Sequence, residues 1–187
     1  MNQIFALLLA IALLTGCNSN PAKKSNYYLL NSSAVQSESS QLVAQPDYVL
    51  ERIRMPDYLV QPNLVMQLSD HRLHYAGYDM WAESLQTAVS KVLVSELQNK
   101  GLKVHDHSET DLEVNRLFVR IDHFYPTDNS RVILSGKYWV EDPVNKKVIR
   151  GSQFRFQDNL DRDGYAHAVA KMRELVDALS GQLIKEL

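Results

Sequence analysis

The sequence predicts a single α+β domain, a mixed and mainly antiparallel sheet with two main helices packed on one face. Three observations predict this fold class. Two long segments, residues 84–100 and 165–187, have apolar residues three and four positions apart, as amphipathic helices do. Three consecutive segments between them are rich in β-branched and aromatic residues and are joined by short turns. The chain has 187 residues, a length for which one domain is the first expectation.

The composition is that of an ordinary globular protein and excludes several functional classes. Hydrophobic residues make up 45% of the chain and the net charge is -2, which excludes a wholly disordered protein. The 20 lysines and arginines form no basic block, so we expect no nucleic-acid partner. With 7 glycines, the chain contains neither a glycine-rich phosphate loop nor the Gly-x-Ser-x-Gly motif of serine hydrolases. We therefore expect no catalytic residues and no cofactor.

The amino terminus has the pattern of a lipoprotein signal peptide. Residues 4–14 form an unbroken run of 11 apolar residues. Such a run is about half of the ~20 residues that a helix needs to cross a bilayer. The next residues complete Leu14-Thr15-Gly16-Cys17, which resembles a bacterial lipobox. We predict that residues 1–16 are removed and that Cys17 is acylated on its sulfur and amino group, with palmitate among its acyl chains. The alternative is a soluble protein in which Cys17 is simply buried.

The residue after Cys17 predicts which of the two membranes holds the anchor. In enterobacterial lipoproteins, which this segment resembles, an Asp at this position favours retention in the inner membrane. Asn18 therefore predicts an outer-membrane anchor, with the domain in the periplasm. The polar residues after it are typical of a tether. The predicted organisation is a signal peptide over residues 1–16, the acylated cysteine and tether over 17–26, and one domain over 27–187.

The first half of the domain predicts short strands. Residues 26–30 are apolar enough for a first strand, and residues 31–45 predict a loop because they are rich in Ser and Gln. Alternation over residues 48–55 predicts a strand that a proline stops, since proline has no N–H to continue a ladder. Two short apolar runs, residues 64–68 and 73–78, predict a hairpin.

The second half predicts a helix, a meander and a second helix. Segment 84–100 carries one apolar stripe, and Gly101 is a typical helix stop. Three antiparallel strands follow, at residues 112–124, 132–140 and 148–156. The last helix covers residues 165–187, and Asp161 and Asp163 before it are candidate capping residues.

Two histidine pairs and one acidic loop have spacings found in metal sites. His105 and His107 would share a face of a strand, whereas His71 and His74, three apart, would not. Neither pair brings the further ligands that zinc needs. Residues 159–164 match the first six positions of a calcium loop, but its twelfth position is an alanine where a bidentate glutamate is needed. We therefore predict no metal, with surface histidines and an acidic loop that caps a helix.

Six short motifs occur in a fixed order along the chain. They are the lipobox and residues 26–29, 53–59, 81–85, 132–136 and 163–165. In this order they resemble the ABC-type transport auxiliary lipoproteins, and within that family the paraquat-inducible lipoprotein C subgroup. Each motif is three to seven residues long, and the set spans nearly the whole chain after the cysteine.

The resemblance implies a role without catalysis. Members of the family look like outer-membrane lipoproteins that dock, as auxiliary subunits, on an intermembrane transport system. That system is built around an MCE-domain protein, a periplasmic tube for phospholipid or other hydrophobic cargo, and the lipoprotein is expected to bind it as a ring of copies. The alternative is a periplasmic lipoprotein that itself binds or modifies envelope lipid or peptidoglycan.

The predicted partner-binding residues lie in two aromatic segments beside turns. Both segments belong to the motifs of the resemblance, and amphipathic aromatic rings are favoured at protein contacts. The predicted residues are Pro56, Asp57, Tyr58, Leu59, Tyr78 and Trp81.

Overall fold

The computed structural model describes residues 23–31, 47–107 and 113–187. Within these ranges the chain forms one α+β domain with an eight-stranded mixed sheet and two helices, which confirms the predicted fold class. The predicted signal peptide and Cys17 lie outside the described residues, as do most of the predicted tether and most of the predicted loop at 31–45.

The elements follow the predicted order with one addition. In chain order they are β1 (Asn26–Tyr28), β2 (Tyr48–Leu50), β3 (Asn63–Ser69), β4 (Arg72–Trp81), α1 (Leu85–Asn99), β5 (Val104–Asp106), β6 (Asn115–Thr127), β7 (Arg131–Glu141), β8 (Val148–Asn159) and α2 (Tyr165–Glu186). A 3-10 turn at Asp57–Leu59 lies between β2 and β3. Strand β5 is the element that the sequence patterns did not predict.

The sheet combines long antiparallel pairings with short parallel ones. Strands β6, β7 and β8 form the predicted antiparallel meander, and β3 and β4 form the predicted hairpin. The second edge of β6 pairs in parallel with β2 near its start and with β3 at its end. Strand β1 pairs in parallel with β4, and β5 pairs in parallel with β2. The meander is therefore the frame on which the shorter strands assemble.

The bounds of β2 and β6 and the missed strand β5 each have a physical reason. Strand β2 ends at Leu50, because the chain then follows β6 only through separate hydrogen bonds, such as Arg54 N–H to the Val119 carbonyl at 3.0 Å. Strand β6 runs on to Thr127, beyond the predicted end at residue 124, because Pro126 still pairs with Val132 of β7. Strand β5 has only three residues, too few for alternation to be recognised.

Both helices pack on one face of the sheet and close a single hydrophobic core. Leu93 of α1, Val176 of α2 and the sheet residues Val119 and Leu134 all belong to one buried cluster. Neither helix in the described ranges combines the length and the apolarity needed to cross a membrane.

The two helices begin in different ways. Helix α1 begins after Ser84, whose side chain accepts a hydrogen bond from the Thr87 N–H at 3.2 Å. Helix α2 begins after Gly164, whose φ of 104° favours glycine and which offers no side-chain oxygen. The prediction that Asp161 and Asp163 cap α2 is therefore wrong.

Candidate partner-binding surface

The β6–β7–β8 meander has two unlike sides. Along β7, and along β6 as far as Ile121, every second residue faces the helices and is buried, as Val119, Leu134 and Tyr138 are. The residues between them point to the other side of the sheet and are only partly buried or exposed. We call this side the open face and define it by Phe118, Arg120, Lys137 and Trp139.

An aromatic stack lies on the open face. Phe118 of β6 and Trp139 of β7 are paired residues in the antiparallel register, and their rings lie parallel within 2° with centroids 5.0 Å apart. Directly opposed side chains on one face of a sheet pack in this way. The Trp139 Nε1–H donates to the Glu141 carboxylate at 2.8 Å. The indole is therefore held in one orientation, and its polar atom is satisfied.

Two cations border the stack. The Arg54 guanidinium carbon lies 5.9 Å from the centroid of the Phe118 ring and 5.6 Å from that of Trp139. The Lys137 Nζ lies 5.6 Å from the Trp139 ring centroid. At these distances the quadrupole of an aromatic ring attracts a cation. The open face thus presents apolar area and positive charge in fixed positions.

A glycine leaves one side of Trp139 uncovered. Gly151 of β8 is paired with Trp139, and a Cβ at this position would lie 3.2 Å from the Trp139 Cβ and 3.0 Å from the Tyr138 carbonyl oxygen. A shallow groove of about 540 Å³ lies here. Its lining residues are Lys137, Tyr138, Trp139, Val148, Gly151, Ser152 and Gln153. The groove can take a side chain of a partner beside the indole.

A second aromatic cluster lies at a register shift in β6. The Tyr58 hydroxyl donates to the Asp122 carbonyl and lies 3.4 Å from the His123 Nδ1, and the Tyr125 hydroxyl lies 2.7 Å from the same nitrogen. Burial raises the pKa of Tyr58 and that of Tyr125 above the ordinary value of 10.0. Both phenols therefore remain protonated at neutral pH, and the Tyr58 hydroxyl is a hydrogen-bond donor.

A buried carboxylate joins three segments of the sheet region. Glu51, 8% exposed, accepts a hydrogen bond from the Arg116 Nη1, and its other oxygen lies 2.8 Å from the His107 Nδ1. A carboxylate that is buried between two such partners is costly to disturb, because removal of one partner leaves a buried charge. This cluster fastens the end of β2 to β6 and to the segment after β5.

The histidines predicted to lie on the surface have different environments. His107 is exposed, but His105, paired with Val49 of β2, is only 8% exposed, so this part of the prediction is wrong. In the acidic loop, the Asp161 carboxylate lies 2.6 Å from the His167 Nε2. Within residues 23–31, 47–107 and 113–187, no group of three or more His, Cys, Asp or Glu side chains is arranged to hold a metal ion.

Five of the predicted partner residues differ in accessibility. Leu59 is 2% exposed and Trp81 is 7% exposed, so both side chains pack in the core and support the surface from beneath. Asp57 is exposed, whereas Pro56 and Tyr58 are half-buried. Because Tyr58 contacts Asp122, this turn borders β6.

The remaining predicted residue, Tyr78, lies on β4. Its side chain is 46% exposed, and the Lys23 Nζ lies 5.4 Å from its ring centroid. Tyr78 therefore belongs to the edge where the chain enters β1. Which residues bind a partner stays a prediction.

The open face was not singled out from the sequence. The sequence patterns favour a core position for Phe118 and Trp139, since most aromatic residues on strands are buried. A signal for the correct interpretation was present, because Phe118 lies between Leu117 and Val119, both fully buried on the other side. Period-two alternation assigns Phe118 to the opposite face.

Comparison with known proteins identifies the family. The model of the ABC-type transport auxiliary lipoprotein component matches residues 28–183. The intermembrane transport lipoprotein PqiC of Escherichia coli is 29% identical over 160 residues, which are 83% of this chain and 82% of that protein.

Two solved structures share the fold. A crystal structure of an uncharacterized protein has a TM-score of 0.72 at 21% identity and covers 87% of this chain and 98% of that one. A crystal structure of a Xanthomonas campestris protein has a TM-score of 0.65 at 11% identity and covers 88% of this chain and 86% of that one. Because the family model spans most of the sequence, this chain belongs to the ABC-type transport auxiliary lipoprotein family.

Proposed function

We propose that this protein is a periplasmic lipoprotein, anchored in the outer membrane through Cys17, that serves as a docking or auxiliary subunit of an MCE-type intermembrane lipid transport system. In this role it contributes to envelope integrity and has no enzyme activity. The observation that carries the proposal is the family match over residues 28–183, together with a relative named as an intermembrane transport lipoprotein.

The proposed anchor is a chemical modification with a definite mass. Several acyl chains on Cys17 would hold the protein on the membrane durably, where one chain would be marginal. Mass spectrometry of the amino-terminal peptide from purified envelopes is expected to find an acylated Cys17 as the first residue. An unmodified Cys17, or a chain that still begins at Met1, would contradict the anchor.

The open face is the proposed contact with the MCE-domain protein. Trp, Tyr and Arg dominate binding energy at protein interfaces. Here Trp139 and Arg54 are in contact. Tyr58 lies four positions after Arg54 and donates to the carbonyl of Asp122 in β6, the strand that carries Phe118. The stack supplies rigid apolar area, and Arg54 and Lys137 favour a partner segment with acidic residues around an apolar side chain.

The test is capture of the MCE-domain protein from crosslinked envelopes. We expect Trp139→Ala to weaken capture by a factor on the order of 30, the loss of about 2 kcal/mol that is typical of an interface hot spot. Lys137→Glu is expected to weaken it as well, because it reverses a charge beside the stack. Lys103→Glu, an exposed lysine just before β5, is the matched control and is expected to leave capture unchanged.

Unchanged capture by Trp139→Ala and Lys137→Glu would remove the open face from the proposal. Failure of the unmodified protein to capture an MCE-domain protein, with recovery of peptidoglycan or lipid in its place, would favour the alternative of a lipoprotein that itself binds or modifies envelope material.

A ring of copies is part of the same proposal. Rings are built from head-to-tail contacts, in which each copy uses two different patches. Among the described strands β8 pairs only with β7, so one edge of this 12-residue strand has no partner strand there. The mass of the protein in solution, measured by light scattering, is expected to exceed that of one chain; a single-chain mass would contradict the ring.

A further inference from the structure

We propose that the sheet edge formed by β1 and β4 rests on the lipid surface of the membrane that carries the anchor. The layer that this edge contacts is the headgroup layer of the bilayer. The inference rests on the proposed acylation of Cys17, and it assigns one specific face of the domain to the membrane.

The edge carries exposed apolar and aromatic side chains. Tyr27 is 65% exposed, Leu29 is 51% exposed and Tyr78 is 46% exposed. We call these three residues, with Lys23, the edge patch. Large apolar side chains that are exposed together, next to a cation, mark contact sites.

The register of β1 and β4 places Tyr27 and Tyr78 of the edge patch on one side of the sheet. The side chain of Asn26 and the hydroxyl of Tyr28 both donate to the Asp79 carboxylate, at 2.8 and 2.9 Å, so these three residues lie on the same side. Tyr27 and Tyr78 alternate with them along the two strands and therefore point to the other side. This side is opposite to α2, because the Tyr28 ring packs against Tyr165 with centroids 6.5 Å apart.

The chemistry of the edge patch fits the headgroup layer. Tyrosine rings are enriched at membrane interfaces, where an apolar body meets a polar tip. The Lys23 Nζ lies 5.4 Å from the Tyr78 ring centroid, and Lys24 beside it is exposed. Lysines close to a bilayer are attracted by anionic lipids.

The length of the chain brings this edge to the membrane. From Cys17 to Lys23 there are six residue steps. Fully extended, six residues span about 20 Å. The edge patch lies where the chain enters the domain, since β1 begins at Asn26. A domain held this closely to a bilayer presents the edge patch to it.

A second group of exposed apolar residues lies too far away for this contact. It consists of Val144, Val148 and Ile149 at the β7–β8 turn. The turn lies at the other end of α2, because the Arg150 Nη1 donates to the Leu187 carbonyl at 2.7 Å, whereas Tyr28 packs at Tyr165. The 22 residues of α2 separate the two groups by about 33 Å, at 1.5 Å per residue. This group supplies the matched control.

The experiment uses the single cysteine of the chain. Because Cys17 is acylated in the proposed protein, a cysteine introduced by Leu29→Cys or by Val144→Cys is the only free thiol. Each full-length, acylated variant is labelled with an environment-sensitive fluorophore and placed in vesicles of phosphatidylethanolamine and phosphatidylglycerol that contain a headgroup nitroxide lipid. Flotation of the vesicles reports the anchor, and quenching of the fluorophore reports which face meets the lipid.

We expect both variants to float and the label at position 29 to be quenched several-fold more than the label at 144. Adding Tyr27→Ser and Tyr78→Ser to Leu29→Cys is expected to lower that quenching, whereas adding Val148→Ser and Ile149→Ser is not. Flotation with equal quenching at the two positions overturns the edge patch and leaves the anchor intact. Failure to float overturns the anchor, and the edge patch with it.

Discussion

The two sides of one strand show how this domain separates stability from binding. Phe124 and Phe118 both lie on β6, but Phe124 is 1% exposed in the core, whereas Phe118 stacks on Trp139 on the open face. The covered side is closed by helices and tolerates little change. The open side is held by stacking and by cations, and its atoms remain available to another molecule. Identical residue types therefore have different roles according to the face on which they lie.

The largest expected effect tests this difference directly. Phe124→Ala is expected to lower the free energy of unfolding by about 3–5 kcal/mol, because it leaves a cavity in the core. Phe118→Ala is expected to cost about 1 kcal/mol, the worth of an aromatic pair. Urea denaturation followed by circular dichroism measures both variants. Equal losses would mean that the open face is as important to folding as the core.

Glycine positions extend the comparison to the backbone. A Cβ at Gly136 would lie 2.0 Å from the Arg120 carbonyl oxygen, so Gly136→Ala forces backbone atoms of the meander apart. We expect a loss of about 1–3 kcal/mol. Gly181→Ala is the control, since open space surrounds a Cβ there within α2. It is expected to stabilise the protein by about 0.5–1 kcal/mol. Thermal unfolding of the pair compares them, and a neutral Gly136→Ala would contradict the close approach of β6 and β7.

Two tyrosines compare the turn that borders β6 with the covered side when a hydroxyl is removed. Tyr58→Phe and Tyr138→Phe each remove a hydrogen bond, to the Asp122 carbonyl and to the Glu186 carboxylate respectively. Each is expected to cost about 1 kcal/mol at neutral pH. Only Tyr58→Phe is expected to alter capture of the MCE-domain protein, because Tyr138 is buried on the covered side.

The same two variants predict a pH dependence. Burial raises the pKa of Tyr58 and of Tyr138 above 10.0, so the folded protein holds these protons more tightly than the unfolded chain does. This contribution to stability is complete below pH 10.0 and is lost as the pH rises above that value. The free energy of unfolding, measured in alkaline buffers, is expected to fall less steeply with pH in each variant than in the unmodified protein. Parallel curves would mean that the two tyrosines do not have raised pKa values in the folded protein.

The smallest effect concerns the cation on the stack. Arg54→Gln is expected to cost less than about 1 kcal/mol, since a cation and a ring at an exposed site attract each other only modestly. Arg52→Gln, an exposed neighbour two positions away, is the control and is expected to change stability still less. Urea denaturation measures both. A larger loss for Arg52→Gln would contradict the role of Arg54 at the stack.

Long, regular elements could be predicted from the sequence, whereas the short parallel strand β2 was predicted too long and β5 was not predicted at all. The meander and both helices have patterns that extend over ten or more residues, so one irregular position does not hide them. Strand β5 has three residues and pairs in parallel with β2, which itself has three. Such strands form because β6 is already in place, and no local pattern contains that information.

The candidate surface was predicted only in part for a similar reason. Tyr58 was chosen because an aromatic residue beside a turn favours contact, and it does border β6. Trp81 has the same local context but is 7% exposed, because it ends β4 against the core. The stack of Phe118 on Trp139 depends on the register between two strands, 21 positions apart in the chain. Register follows from turn geometry and from the whole set of paired residues.

The length of α2 limits which partner segments can bind both of its ends at once. Its 22 residues keep the edge patch and the β7–β8 turn about 33 Å apart. An extended peptide would need about ten residues to bridge that distance. A short segment of a partner can therefore occupy one end or the other, and substitutions at the two ends are expected to have additive effects on binding.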